Sequence, residues 1–322
     1  MRIISHPSDF DVSDLYVDLS SLFGVRLLVK CEGFNFAASI KLKPARHMIA
    51  AAEADGALAA GRCLIESSSG NLGVALAMIA AERGYHFTCV TDANCNQGVV
   101  CALMALGAEV RVMDRPHPTK GYLGARLDYV ADRLRADPDL VWINQYENRN
   151  NWQSHYMTTA REIVDSIPDL STLFIGAGTT GTLQGCAAFM SDCHSDVSVV
   201  GIDSVGSVNF GGASGRRVFP GLGSAVKMPL FDQELLAGTV EVPEELTVVM
   251  SRELAANGYL FGASTCTVLA GARIWFREHG RPEGTSVVVS PDQGGQYCAT
   301  LYNDDWVDSV LPGWRKYRFS AL

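Results

Sequence analysis

The sequence predicts an α/β protein of two lobes, each a parallel sheet with helices on both faces. Three observations carry that reading. Short apolar runs of β-rich composition alternate with alanine-rich stretches of helical period. The alternation occurs twice, from residue 62 to 113 and again from about residue 170 to 290. Clusters of serine and glycine stand where a strand should pass into a helix.

In the first series Arg62 to Glu66 reads as a strand, and a Ser/Gly turn follows. A helix is expected over 71–83, with Leu72, Leu76, Ile79 and Ala80 on one face and Gly84 ending it. Phe87 to Thr91 is the next strand, 97–106 a helix closed by Gly107, and Glu109 to Met113 a third strand. Strands joined through helices in this way must run parallel. In the second series Leu173 to Ile175 is a strand and Gly176 to Gly181 a glycine-rich turn. A helix over 182–190, a strand over 197–203, a helix over 266–279 and a strand over 285–290 complete it. A helical and loop region from Tyr122 to Ile167 joins the lobes. The segment Ser204 to Ser224, rich in glycine and carrying Arg216 and Arg217, is expected to be flexible.

The composition is that of a globular chain: 322 residues, 48% hydrophobic and 19% charged. A net charge of −9 argues against nucleic acid or an anionic membrane as partner. No apolar run reaches the length of a membrane span, and the N-terminus lacks the pattern of a secretory signal. The nine cysteines contain no C-x-x-C pair, which points to reduced thiols in a cytoplasmic protein and to no metal site. Most of them read as small buried hydrophobes.

Ligands of doubly wound folds bind at the carboxyl ends of strands, and two loops qualify. Ser67-Ser68-Ser69-Gly70-Asn71 leads from strand to helix. Its hydroxyls and N–H groups suit a carboxylate at the positive end of that helix, or else serve as an N-cap. Gly176-Ala177-Gly178-Thr179-Thr180-Gly181-Thr182 lacks the lysine of a nucleotide loop and the acidic partner of a dinucleotide fold. A single phosphate group fits it, as does a purely structural tight turn. Lys41 follows a small polar stretch, Asn35 to Ser39, and Pro44 marks the start of a helix. A desolvated lysine there could hold an aldehyde cofactor as a Schiff base. Lys43 is expected on the solvated surface.

In order along the chain, these segments resemble fold-type II pyridoxal-phosphate enzymes of the cysteine synthase and cystathionine β-synthase group. Asn35 to Lys41 is similar to that group's N-P-x-x-S-[IV]-K segment, which implies that Lys41 is the Schiff-base lysine. Ser68-Ser69-Gly70-Asn71 resembles its T-S-G-N loop, which would bind the substrate α-carboxylate, with Asn71 facing the cofactor's 3′ oxygen. Gln145-Tyr146, Asn148, His155, Thr158-Thr159 and Glu162-Ile163 match its Q-[FY]-x-N…H-x-x-T-[GT]-x-E-I stretch, so Gln145 would assist with the carboxylate. Gly178, Thr179, Thr180, Gly181 and Thr182 match the phosphate cup G-T-G-G-T. Ser264, in Gly262-Ala263-Ser264-Thr265, falls at the pyridine nitrogen, and Gly221 in the turn Phe219 to Gly223 falls near the active-site mouth. The resemblance further implies pyridoxal 5′-phosphate as cofactor, amino-acid substrates and a homodimer. It also implies a larger phosphate-binding domain (1–40 and 149–322) and a smaller mobile substrate domain (41–148).

Departures narrow the reading. Phe36 replaces the proline, Leu42-Lys43 the usual Asp-Arg, Leu72 a threonine and Thr180 a glycine. With Glu66 to Gly73, Ile143 to Tyr146, Asn151 to Tyr156 and Ser204 to Gly223, they resemble a branch that joins O-phospho-L-serine to L-glutamate. In that branch Lys41 would take and return the α-proton of a β-replacement. Arg217, then Arg216, with Arg126 as an outside candidate, would host the anionic groups, and Tyr156 could position the phosphate or the nucleophile. An O-phosphoserine or O-acetylserine sulfhydrylase, or another β-substituted alanine synthase, remains the alternative.

Overall fold

The computed structural model describes residues 3–59 and 61–319. Its strands are β1 (Tyr16–Asp18), β2 (Leu27–Cys31), β3 (Cys63–Ser67), β4 (His86–Asp92), β5 (Glu109–Met113), β6 (Leu140–Trp142), β7 (Leu170–Gly176), β8 (Ser198–Ser204), β9 (Gly238–Val242) and β10 (Thr285–Ser290). Its helices are α1 (Ser20–Phe23), α2 (Leu42–Ala54), α3 (Asn71–Arg83), α4 (Gln97–Ala105), α5 (Gly121–Ala136), α6 (Arg149–Met157), α7 (Thr159–Ser166), α8 (Gly181–Cys193), α9 (Glu244–Ala256), α10 (Ala263–His279) and α11 (Asp304–Val310). The chain divides into two compact units. Asn35–Ser154, with the segment up to Asp11, forms the smaller; Val12–Phe34, with the chain from His155 onward, forms the larger. The segments 3–11, 35–40 and 149–154, which the sequence assigned to the larger domain, fall in the smaller unit by this division.

The smaller unit holds a four-stranded sheet in the order β5-β4-β3-β6, parallel throughout. Its core is Leu64 on β3, Leu42, Met48 and Ile49 on α2, and Leu72, Leu76 and Ile79 on α3. Helix α3 is buried on more than the expected stripe, because Ala75, Ala77 and Ala80 let neighbouring elements approach closely. The larger unit holds six strands in the order β1-β2-β10-β7-β8-β9. All neighbours are parallel except the edge pair β1–β2, so the expected parallel architecture stands with one antiparallel edge. Its core packs Leu27, Val29, Phe174, Val200, Val288 and the buried face of α10.

Three expectations are corrected. Lys43 is 6% exposed, because the whole first turn of α2, Leu42 to Ala45, is buried. Only Cys31, Cys89, Cys186 and Cys266 are buried; Cys63 and Cys95 are half-buried, and Cys101, Cys193 and Cys298 are exposed. Apolar sequence neighbours do not bury a residue on the outer side of a helix, as Cys101 on α4 shows. The segment Ser204 to Ser224 is hydrogen-bonded along its length: Val208 N to Ser224 O (2.9 Å), Gly215 N to Gly206 O (2.9 Å), and Val218 and Phe219 N to the Glu244 carboxylate (2.8–3.0 Å).

Candidate active site

In the smaller unit, the lysine segment is shaped by a turn that closes on its own side chain. The Asn35 amide donates to Ser39 O (2.9 Å), and its Oδ1 accepts from Ser39 N (3.4 Å). Ala38 takes the left-handed conformation (φ 52°) to close this turn. Lys41 follows as the half-buried N-cap residue of α2. The Ser39 hydroxyl, two residues earlier, is fully buried with no hydrogen-bond partner among the described residues.

The loop 67–71 joins β3 to α3. Ser68 Oγ accepts from Gly73 N (3.0 Å) and Gly70 N (3.3 Å), so this hydroxyl acts as the cap of α3. Gly73 has no room for a side chain, since a Cβ there would stand 2.9 Å from Cys89 Sγ. Gln145 is brought to the loop: its Nε2 donates to Ser67 O (2.8 Å), and Asn151 Nδ2 donates to its carbonyl (2.7 Å). The Tyr146 hydroxyl also donates to Ser67 O (3.1 Å).

Beneath them lies a residue that the sequence reading left without a role of its own. Glu66 is fully buried at the end of β3 and accepts from Ser67 N (2.7 Å), Gln145 N (3.2 Å) and Trp142 Nε1 (3.2 Å). Burial pushes its carboxyl up to about 7, against the pull of those donors and of Arg126. The sequence signals for it were a charge in an otherwise apolar strand and its place at the head of the Glu66 to Gly73 segment. Arg126 is itself buried, 3.2 Å from Asp92 Oδ2.

In the larger unit, the loop 178–182 runs from β7 into α8. Gly178 lies against backbone, since a Cβ would meet Gly221 O at 2.5 Å. Thr180 is left-handed (φ 62°), and its hydroxyl donates to Thr179 O (2.7 Å). Asn209 braces the loop from below, its Nδ2 within 3.0–3.3 Å of Ala177 O, Gly178 O and Asp203 Oδ2. Burial raises Asp203 to about 6. His155, fully buried, stands 3.2 Å from Thr182 Oγ1 through Nε2 and 3.1 Å from Thr159 Oγ1 through Nδ1. Ser264 opens α10 beside Gly221, where φ is +104° and a Cβ would lie 2.3 Å from Ser264 Oγ.

The side chains of two predicted residues are engaged by other partners. The Tyr156 hydroxyl donates to Asp192 Oδ2 (3.0 Å), and its ring packs edge-on against Phe189, 5.2 Å away. Asp192 is near the far end of α8, about 15 Å along the helix from the loop. Arg217 donates to Gly206 O and to Gly215 O (3.4 Å) within its own segment; Arg216 is exposed.

Among the described residues, the non-glycine positions with positive φ are Ala38, Asn144 and Thr180. One precedes Lys41 by three residues, one adjoins Gln145, and one is in the 178–182 loop. Such conformations cost about 1–3 kcal/mol each and concentrate at functional sites. The β-branched Thr180 is the most unusual of the three.

Residues 16–292 match the family described as pyridoxal-phosphate dependent enzyme. The chain belongs to that family. It is 33% identical over 304 residues to the N-(2-amino-2-carboxyethyl)-L-glutamate synthase of Cupriavidus metallidurans, covering 91% of this chain and 88% of that one. Its fold is similar to that of a hydrogen sulfide-producing enzyme of Fusobacterium nucleatum (TM-score 0.85, 27% identity, 92% of this chain and 100% of that one). It is equally similar to O-ureido-L-serine synthase (TM-score 0.85, 29% identity, 97% and 98%). The protein is thus a pyridoxal-phosphate-dependent enzyme of the β-substituting kind, with the two-lobed fold expected. No helix among the described residues is long and apolar enough to cross a membrane, and no metal-binding cluster occurs among them.

The residues of this pyridoxal-phosphate enzyme fit its cofactor. Thr179 Oγ1 is buried with no partner among the described residues, a hydroxyl at the N-terminus of the thirteen-residue α8. Gly178, beside it, carries no side chain and packs against the Gly221 carbonyl. An orphaned donor, bare backbone and a helix's positive end together suit a phosphate.

Proposed function

We propose that the enzyme joins O-phospho-L-serine and L-glutamate, giving N-(1-amino-1-carboxy-2-ethyl)-L-glutamate and phosphate. The product would serve as a precursor of L-2,3-diaminopropionate in siderophore or peptide-antibiotic synthesis. The observation that carries this reading is the likeness to the Cupriavidus synthase over nine-tenths of the chain.

When bound, pyridoxal phosphate supplies an electron sink that makes the substrate α-proton acidic and the β-substituent labile. Lys41 would hold the cofactor aldehyde, and its amine would take the α-proton and later return it. The N–H groups of Ser69, Gly70 and Asn71 and the second N–H of the Gln145 amide hold the α-carboxylate. Ser68 shapes that loop as its cap. Gly178 to Thr182 hold the cofactor phosphate, and Ser264 meets the ring nitrogen. The β-carbon loses its bond to the phosphate oxygen and gains one to the glutamate nitrogen, which gives up a proton. Arg217 is the proposed host for the incoming glutamate; it would exchange its bonds to Gly206 O and Gly215 O for the carboxylate. A homodimer is proposed with this reading, to be measured by sedimentation.

The test adds O-phospho-L-serine to the holoenzyme and follows the visible spectrum, phosphate release and product mass. A new long-wavelength band should form and be discharged by L-glutamate, yielding the adduct. Discharge by sulfide but not glutamate would replace this reading with a sulfhydrylase.

A further inference from the structure

We propose that His155 is a positioning residue that sets the direction of the Thr182 hydroxyl proton, and that a bound phosphate selects its Nε2–H tautomer. The inference rests on the reading of 178–182 as the phosphate host.

The geometry allows few proton arrangements. His155 is fully buried and bridges two threonine hydroxyls, Thr159 through Nδ1 (3.1 Å) and Thr182 through Nε2 (3.2 Å). A neutral imidazole carries one N–H, so one ring nitrogen donates and the other accepts. If Nδ1 carries the proton, Nε2 must accept the Thr182 proton. Thr182 Oγ1 then has only lone pairs left for the loop, and these repel a phosphate oxygen. If Nε2 carries the proton, it donates to Thr182 Oγ1, and the hydroxyl proton is released toward the anion. Thr159 completes the relay by donating its own proton to Nδ1. A phosphate on the loop thus favours the second arrangement by a full charge-assisted hydrogen bond. Thr159 opens α7 and Thr182 lies in the first turn of α8, so the imidazole ties two helix starts together as it fixes the proton.

The experiment uses uniformly 15N-labelled holoenzyme. Long-range 1H–15N spectra report the tautomer of each of the seven histidines, and His155 is assigned by the signals lost in His155→Gln. The expected spectrum shows His155 protonated at Nε2 and accepting at Nδ1; protonation at Nδ1 alone overturns the proposal. Cofactor affinity, read by fluorescence titration of apoenzyme, gives the second arm. The amide nitrogen of glutamine reaches where Nε2 stood, whereas asparagine ends near Nδ1. His155→Gln should hold affinity within about threefold, and His155→Asn and Thr182→Ala should each weaken it about ten- to a hundredfold, the loss of one hydrogen bond to a charged group. If Thr182→Ala leaves affinity unchanged, the phosphate-host reading fails and this inference with it. If Thr182→Ala weakens binding and His155→Asn does not, only the role of His155 fails. Thr159→Val, which keeps the ring in place, should return part of the His155 signal to the Nδ1–H form; an unchanged spectrum would remove Thr159 from the relay.

Discussion

Glu66→Gln probes the charge beneath the carboxylate loop. The folded Glu66 carboxyl titrates at about 7, against about 4.3 in an unfolded chain. The folded state therefore holds the proton more tightly between those values, and stability must fall as pH rises through that window. Above about pH 8 both states are ionised and the loss is complete, at about 4 kcal/mol in total and about 2 kcal/mol between about pH 5.5 and about pH 8. Glutamine keeps a neutral acceptor where Glu66 Oε1 receives Ser67 N and Trp142 Nε1, but puts an N–H where Oε2 receives Gln145 N. That mismatch costs about 1–3 kcal/mol and is independent of pH. The variant should thus be less stable than the parent at low pH and close to it at high pH. Urea unfolding of both proteins at the two pH values measures the difference. The reasoning is refuted if the stability gap between parent and variant stays constant across the window. Loop geometry should show in the same variant as a raised KM for the amino-acid substrate, since Gln145 N loses its acceptor.

Three further outcomes are expected. Gly178→Ala should lose most of its bound cofactor, measured by visible absorbance per protein, because the new methyl meets the Gly221 carbonyl at 2.5 Å and backbone cannot swing aside. Thr180→Gly should raise the unfolding free energy of the apoprotein by up to about 1 kcal/mol, the left-handed strain relieved less the entropy of glycine; a loss of stability in denaturant titration would show that the Thr180 hydroxyl outweighs its backbone. Tyr156→Phe should change kcat/KM less than about threefold, since its hydroxyl is bound to Asp192 and one partly exposed hydrogen bond is worth little; a hundredfold drop would restore the role first read from sequence.

Much of the fold was legible in the sequence. Periodicity and stop signals placed α3 from Asn71 to Arg83, β5 and β10 where the structure has them, because those elements obey local rules of amphipathicity and glycine termination. Strands β1, β2, β6 and β9 and helices α1, α9 and α11 were not read: the strands are three to five residues long, β6 lies within the stretch 122–167 expected to be helix and loop, and Lys30 interrupts the apolar run of β2. That lysine is buried where Glu32 (3.3 Å), Glu162 (3.0 Å) and the Ser13 carbonyl meet it, and Glu162 is distant in sequence. Of the candidate site, Lys41, the 68–71 loop, Gln145 and the 178–182 loop announce themselves by residue type at short spacing. The roles of the residues that support them were not legible: His155 and Glu66 stand in segments matched by resemblance, yet they and Asn209 act through partners dozens of residues away.

By itself, then, the sequence determined that two α/β lobes form, where their main strands end, and that a lysine and two strand-to-helix loops stand at those ends. These are consequences of local backbone preference and side-chain chemistry. Tertiary structure alone decided which polar side chains were consumed as braces. Ser68 became a helix cap, Tyr156 went to Asp192, Arg217 to its own segment, and Lys43 into the smaller unit's interior. A hydroxyl or guanidinium satisfies whichever partner packing brings within about 3 Å, and that partner is set by the folding of the whole unit.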